Sequence, residues 1–269
     1  MQDIGLVRLS QIIYDYCGLS YTDRIPNLVQ KIGKRVNELG LSYQDYCDYL
    51  KKSTMEWDAI VELLTINETY FYREENQLIE CCSIVLPKLK EKIGDRPLRI
   101  WSAACSSGEE PYTLAMMIQD SGKFLPGTIE IIATDINRKV LQKAEKGWYH
   151  SGSFAFRRIP EKLLKKYFLE ENGGYQINPS IRKMVKFEHL NLLNNGQLGQ
   201  IGKVDVIFCR NVLIYFDQVT TRQVIFNLHK CLTPGGYLFL GHAESITDMN
   251  LGFKKVDSDK TFYYRKETD

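Results

Sequence analysis

Glu109 and Glu110 stand side by side where a buried-strand pattern gives way to a helical one, in the stretch LRIWSAACSSGEEPYTLA from Leu98 to Ala115. Leu98, Ile100 and Trp101 close an apolar run, and Ser106, Ser107 and Gly108 make a tight turn of small residues. Pro111 suits a first helical turn, where an N–H has no intrahelical partner to lose, and an apolar run continues from Leu114 to Ile118. Strand, small turn and helix together let backbone approach a ligand closely, as in nucleotide-binding βαβ units. A phosphate needs such a helix N-terminus free of negative charge. Two carboxylates there argue against a pyrophosphate and for a cation, and S-adenosylmethionine, a sulfonium carrying an amino group, fits that description. Acidic residues are also favoured in any first helical turn by the helix dipole alone.

Further polar side chains fall at comparable places. In INETYFYREE, from Ile66 to Glu75, Asn67, Thr69 and Arg73 are set among Tyr70, Phe71 and Tyr72. Polar groups among aromatics either satisfy one another or face a ligand, and an arginine so placed wants a carboxylate. Asp135 ends the apolar strand pattern Gly127 to Asp135, about one βαβ unit after the glycine turn, where doubly wound folds bind a ribose diol. Asn191 and Leu192 follow an expected strand over Val185 to Leu190. Arg210, Asn211 and Tyr215 follow another over Asp205 to Cys209. Ligands bind beyond the carboxyl ends of strands in open α/β sheets, so these residues are expected along one rim.

The elements that must position them divide the chain. Four amphipathic patterns fill residues 1–66: Leu6 to Tyr16, Ile25 to Val36, Tyr43 to Leu50 and Trp57 to Leu64, which predicts an all-helical domain. Residues 67–97 read as a linker and a leading helix over Gln77 to Lys92. An α/β domain then occupies residues 98–269, interrupted at about 148–183 by an aromatic and basic insertion whose Asn172-Gly173-Gly174 predicts a hairpin turn. Pro234-Gly235-Gly236 reads as a turn before a strand from Tyr237 to Gly241, and Phe253 to Val256 with Thr261 to Arg265 as a terminal β-pair. On the second helix Lys31, Lys34 and Arg35 share a face. That face is either ordinary solvated surface, the commoner case, or a dock for an acidic partner helix.

A formal charge of +2 gives no basic excess that would announce nucleic acid. Seven scattered cysteines without a CxxC pair, and four scattered histidines, predict reduced thiols, a cytoplasmic setting and no metal site. Neither a signal peptide nor a membrane-spanning stretch is expected. The single glycine of the turn also departs from the GxGxxG of dehydrogenases.

Taken in order, NETYFYRE, SAACSSGEEPY, ATDIN, HLNLL, CRNVLIYF and LTPGGYLFLGHAES resemble the bacterial chemotaxis receptor glutamate methyltransferases, the CheR family, over nearly the whole chain. The resemblance implies a helical N-terminal domain docking on the receptor, then a class I, Rossmann-like methyltransferase sheet carrying a small inserted β-subdomain. It implies S-adenosylmethionine as cofactor, with S-adenosylhomocysteine as product. The cofactor-contacting positions it implies are Asn67, Thr69, Arg73, one of Glu109 and Glu110, Asp135, Asn191, Leu192, Arg210 and Asn211, with Arg73 and Tyr215 near the reacting methyl. Lys31, Lys34 and Arg35 become candidates for docking on the cytoplasmic domain of membrane chemoreceptors, the protein acting as a monomer. The short turn in LEENGGYQI resembles the branch that needs no receptor pentapeptide tether. Two other readings are a methyltransferase acting on a different carboxylate and a non-catalytic module that binds receptor or nucleotide.

Overall fold

The computed structural model describes residues 3–268. Helices α1 (Ile4–Cys17), α2 (Ile25–Glu38), α3 (Tyr43–Leu50) and α4 (Thr54–Leu64) form the N-terminal domain. Asp3, Ser42 and Ser53 cap α1, α3 and α4 by accepting from first-turn N–H groups. Their apolar stripes meet in one core of Leu9, Ile13, Leu28, Ile32, Tyr46, Leu50 and Ile60.

A leading helix follows in two parts, α5 (Glu75–Glu80) and α6 (Leu86–Ile93), joined through a π-helical turn at Cys81–Val85. The expected helix is therefore present but not uniform. Pro87 has no N–H to give to the carbonyl of Ser83, and the wider turn accommodates its ring.

The α/β domain alternates β1 (Leu98–Ala103), α7 (Glu109–Ser121), β2 (Ile129–Asp135) and α8 (Arg138–Lys146). The insertion comes next, with β3 (Trp148–His150), α9 (Glu161–Tyr167), β4 (Phe168–Glu171), β5 (Gly174–Ile177) and the short α10 (Pro179–Arg182). The main sheet resumes with β6 (Val185–His189), α11 (Asn195–Ile201), β7 (Val204–Cys209), α12 (Gln218–Cys231), β8 (Leu232–Leu240), β9 (Phe253–Ser258) and β10 (Thr261–Lys266). Seven strands lie in the order β6-β2-β1-β7-β8-β10-β9, and β10 alone runs against the others, pairing antiparallel with both β8 and β9. The insertion makes its own sheet, β3-β5-β4. Its β4–β5 hairpin turns on Asn172 and Gly173, both at positive φ as a two-residue turn of this kind requires.

Side chains alternate across β1: Leu98 and Ile100 pack with α5–α7 and the insertion, Trp101 and Ala103 with α11 and α12. The segment Pro234-Gly235-Gly236 is not a turn but part of β8, where the register shifts between the pairs Val204–Leu232 and Val206–Tyr237. Gly236 fits there because a Cβ would lie 2.9 Å from the carbonyl oxygen of Asp205. The expected α/β architecture, helical leader, insertion and terminal β-pair are all present.

Gly108, at φ 93°, starts α7, and a Cβ on it would lie 2.8 Å from Cβ of Ala144. Gly108→Ala should therefore lower unfolding free energy by about 1–3 kcal/mol, measured by urea denaturation, through positive-φ strain and displacement of α8.

Candidate active site

The carboxyl ends of β1, β2 and β7, the linker and the helical domain enclose a cleft of about 340 Å³. Asn67, Thr69, Arg73, Glu110, Asp135, Asn191, Leu192, Arg210, Asn211 and Tyr215 all line it. Of the other expected site and docking residues only Lys31 reaches the cleft wall; Glu109, Lys34 and Arg35 lie elsewhere. Glu109 is buried beneath the turn, where its carboxylate accepts from Ser107 Oγ at 2.9 Å, and burial pushes its pKa up to about 7. Arg35 donates two hydrogen bonds to the buried carboxylate of Glu56, which also accepts from Tyr46 OH, so it braces α2 against α4. Lys34 is exposed, 3.9 Å from Glu38, and Lys31 donates to the carbonyls of Leu63 and Leu64 in the cleft wall. Although the three share a helix face, two of them serve the domain's own packing; a common docking surface would rest on Lys34.

The linker is pinned in three directions. Phe71 is buried among Tyr149, Phe156 and Phe168 of the insertion, the Tyr72 N–H donates to Thr113 Oγ1, and Arg73 turns to the cleft. Among the described residues Arg73 makes no ion pair within 4 Å, contrary to the expectation for an arginine among aromatics, although its charge is felt by Glu110. It donates through Nη1 to the Glu68 carbonyl at 2.7 Å. The carboxylates go to Arg210 instead. That buried guanidinium donates to Glu110 Oε2 at 3.1 Å and to the Arg73 carbonyl, and lies 3.2 Å from Glu74 Oε2. Burial raises the Glu110 pKa despite Arg210 and the hydroxyl of Ser102. At Glu74 burial is outweighed by Arg210, Asn211 and His242, and the pKa falls below the usual carboxylate range.

Asp135 is held by backbone. Its Oδ2 accepts from the Ser106 N–H and its Oδ1 from the Asn137 N–H, both at 2.8 Å, leaving lone pairs on each oxygen for hydroxyl donors. Burial nevertheless pushes its pKa up to about 6. Asn191 stitches the domains: its Nδ2 donates to the Tyr16 carbonyl at 2.6 Å and its Oδ1 accepts from the Leu193 N–H.

Non-glycine residues in the left-handed region gather here. Tyr72, Glu74, Ala104, Ser106 and Asn211 have φ between 50° and 63°, a conformation that persists only where surroundings impose it. For Asn211 the imposing group is Glu244. Its two buried oxygens accept from the N–H groups of Asn211, Gly241, Leu213 and Ile214 at 2.7–3.3 Å, shaping the loop that presents Arg210, Asn211 and Tyr215.

Comparison with known proteins accords with this arrangement. Residues 4–65 match the model of the CheR methyltransferase all-alpha domain, and residues 67–262 that of the CheR methyltransferase SAM binding domain. The chain belongs to the CheR methyltransferase family. It is 40% identical to chemotaxis protein methyltransferase 2 of Vibrio cholerae over 229 residues, covering 83% of this chain and 79% of that one. It is 33% identical to the chemotaxis protein methyltransferase of Escherichia coli over 261 residues, covering 94% and 88%. It is an S-adenosylmethionine-dependent methyltransferase.

The cleft suits that cofactor on its own chemistry. Asn211 Oδ1 and Arg210 Nε are buried and make no hydrogen bond among the described residues. Asp135 has acceptor capacity for a diol, Glu110 supplies negative charge for an ammonium group, and Ile136, Leu190 and Leu192 offer an apolar wall for a base. What the motifs did not reveal is the helical domain's share of the wall, Leu19, Ser20, Tyr21, Arg24 and Asn27. The break in helical pattern from Gly18 to Thr22 marked part of it, and Lys31 was singled out for another reason. Glu244 lay within LTPGGYLFLGHAES, but nothing local marked it as a backbone ligand.

Two outcomes follow from these groups. A bound diol favours ionised Asp135, so S-adenosylhomocysteine affinity measured by calorimetry should be level above about pH 7. It should weaken as pH falls through about 6, approaching tenfold per pH unit, and Asp135→Asn should remove that component while weakening binding. Glu244→Gln replaces an acceptor with an NH₂ group facing backbone donors. It should cost roughly 1–3 kcal/mol in thermal or urea unfolding and weaken cofactor binding.

Proposed function

We propose that this enzyme transfers a methyl group from S-adenosylmethionine to glutamate side-chain carboxylates on the cytoplasmic domain of membrane chemoreceptors, forming methyl esters in chemotactic adaptation. The observation that carries this reading is the juxtaposition of a cation-holding carboxylate, Glu110, with the guanidinium of Arg73 and the phenol of Tyr215 in one cleft. An anionic nucleophile and a cationic donor need opposite partners, and both kinds are present. The CheR relatives named chemotaxis protein methyltransferases support the receptor as substrate.

S-adenosylmethionine, when bound, supplies an electrophilic methyl group on positively charged sulfur. Glu110 would hold its ammonium end and Asp135 its ribose hydroxyls, with Asn67, Thr69, Asn191, Leu192, Arg210 and Asn211 completing the pocket. The glutamate nucleophile, with an ordinary pKa of about 4.3, is ionised at neutral pH and needs no general base. Among the described residues lining the cleft there is no histidine, consistent with that chemistry. Arg73 has donors left after its bond to Glu68 and would orient the incoming carboxylate by charge-assisted hydrogen bonding. Tyr215 would line the approach and donate to the same carboxylate. The protein's contribution is alignment and exclusion of water, worth up to roughly 7–11 kcal/mol of barrier in favourable cases.

Seven buried cysteines, free thiols among the described residues, support a reducing, cytoplasmic setting. The two-residue turn of the β4–β5 hairpin supports the branch without a pentapeptide tether, and a monomer is the simplest working form.

Methyl-labelled S-adenosylmethionine incubated with the protein and receptor-bearing membranes should give base-labile label released as methanol. Arg73→Ala should lower that transfer by roughly 10²–10³-fold while leaving the fold intact by circular dichroism. Base-stable label, or near-normal turnover in the variant, would overturn the glutamate ester and the role of Arg73 respectively.

A further inference from the structure

Arg157 lies in the insertion, directly after the 3₁₀ turn Phe154–Phe156, yet its side chain packs on the linker. Its guanidinium carbon is 3.6 Å from the ring centroid of Tyr70, and its Nη2 donates to Glu68 Oε1 at 3.1 Å. Arg73 uses the same two residues. Its guanidinium carbon is 5.7 Å from the Tyr70 centroid, and its Nη1 donates to the Glu68 carbonyl. The Phe71 N–H donates to the Ala155 carbonyl at 3.0 Å, so backbone joins linker and insertion two residues before Arg157.

The Arg157–Glu68 pair is too exposed for stability to be its main effect, since ion pairs of this kind contribute little in water. What it can do is fix geometry. A planar guanidinium stacked on a ring and tied to the next acidic side chain limits both the ring's tilt and the path of the Glu68 backbone. The Arg73 guanidinium rests on that ring and that carbonyl, and a group that must align a nucleophile loses rate steeply with small displacements.

We propose that Arg157 is a positioning residue for methyl transfer. It holds the Glu68–Tyr70 segment that supports Arg73, so the inserted subdomain completes the reaction site. This rests on the reading of Arg73 given above.

The test uses the full chain, labelled S-adenosylmethionine and receptor-bearing membranes, with the single-turnover rate measured beside S-adenosylhomocysteine affinity and thermal unfolding. Arg157→Ala should slow transfer about tenfold, with cofactor affinity and melting temperature unchanged. Arg157→Lys, which keeps the charge without the planar stack, should fall between it and the parent. In an Arg73→Ala background, Arg157→Ala should have no further effect. If Arg73→Ala turns over normally, the role of Arg73 fails. If Arg73→Ala is impaired while Arg157→Ala matches the parent, only the positioning inference is overturned. A loss of rate that tracks equal losses of cofactor affinity and stability would also overturn it, in favour of a purely structural contact.

Discussion

The buried guanidinium of Arg210 is the constraint on which the rest of the cleft depends. It stands at the end of β7 and draws together α7 through Glu110 and the linker through Glu74 and the Arg73 carbonyl. A buried charge deprived of one partner costs about 3–5 kcal/mol, so the three segments are held in one arrangement. Two carboxylates sharing one guanidinium leave an excess of negative charge at that end of the cleft, and Asp135 adds to it. That excess suits a cationic cofactor, and Arg73 puts a positive charge on the same cleft wall. The cleft is polarised before either ligand arrives, so little reorganisation is left for the moment of reaction.

Holding this arrangement requires backbone that ordinary sequence preferences disfavour. Five non-glycine residues around the cleft adopt left-handed conformations, and three of them have an identifiable brace. Asn211 is clamped by Glu244, Ser106 by the carboxylate of Asp135 and Tyr72 by Thr113. Gly241 leaves room for the first of these clamps, since a Cβ there would lie 2.6 Å from Asn211 Nδ2 and 2.9 Å from Glu244 Oε2. The strain sits beside the chemistry, while β1 and β2, which lead into the cleft, pair without a register shift.

Much of this was legible in sequence because the signals are local. Apolar periodicity places the four N-terminal helices, and the turn at Ser106–Gly108 and the strand-ending Asp135 and Asn191 mark the ligand rim. Contacts between distant segments were not legible. Adjacent in sequence, Glu109 and Glu110 look alike, but helical geometry turns one under the turn and the other into the cleft. Lys31, Lys34 and Arg35 share a helix face, yet a carboxylate 21 positions on claims Arg35. Pro234-Gly235-Gly236 has the composition of a turn and falls within β8 because the flanking Leu232 and Tyr237 both pair with β7. In each case tertiary partners decide, and a window of neighbouring residues does not contain them.

The helical domain is attached to the catalytic sheet by a Leu19–Phe216 bridge, a Tyr14–Asp217 hydrogen bond and ion pairs from Arg138 to Asp58 and Lys139 to Glu62. Through Leu19, Tyr21 and Arg24 it is also one side of the chamber. If the proposed docking on receptors falls to this domain, recognition of a target and retention of the donor are vested in a shared piece of protein. Exchanging that piece between relatives would retune both properties together, and evolution of new targets must proceed by changes on its outer surface that leave its inner lining alone.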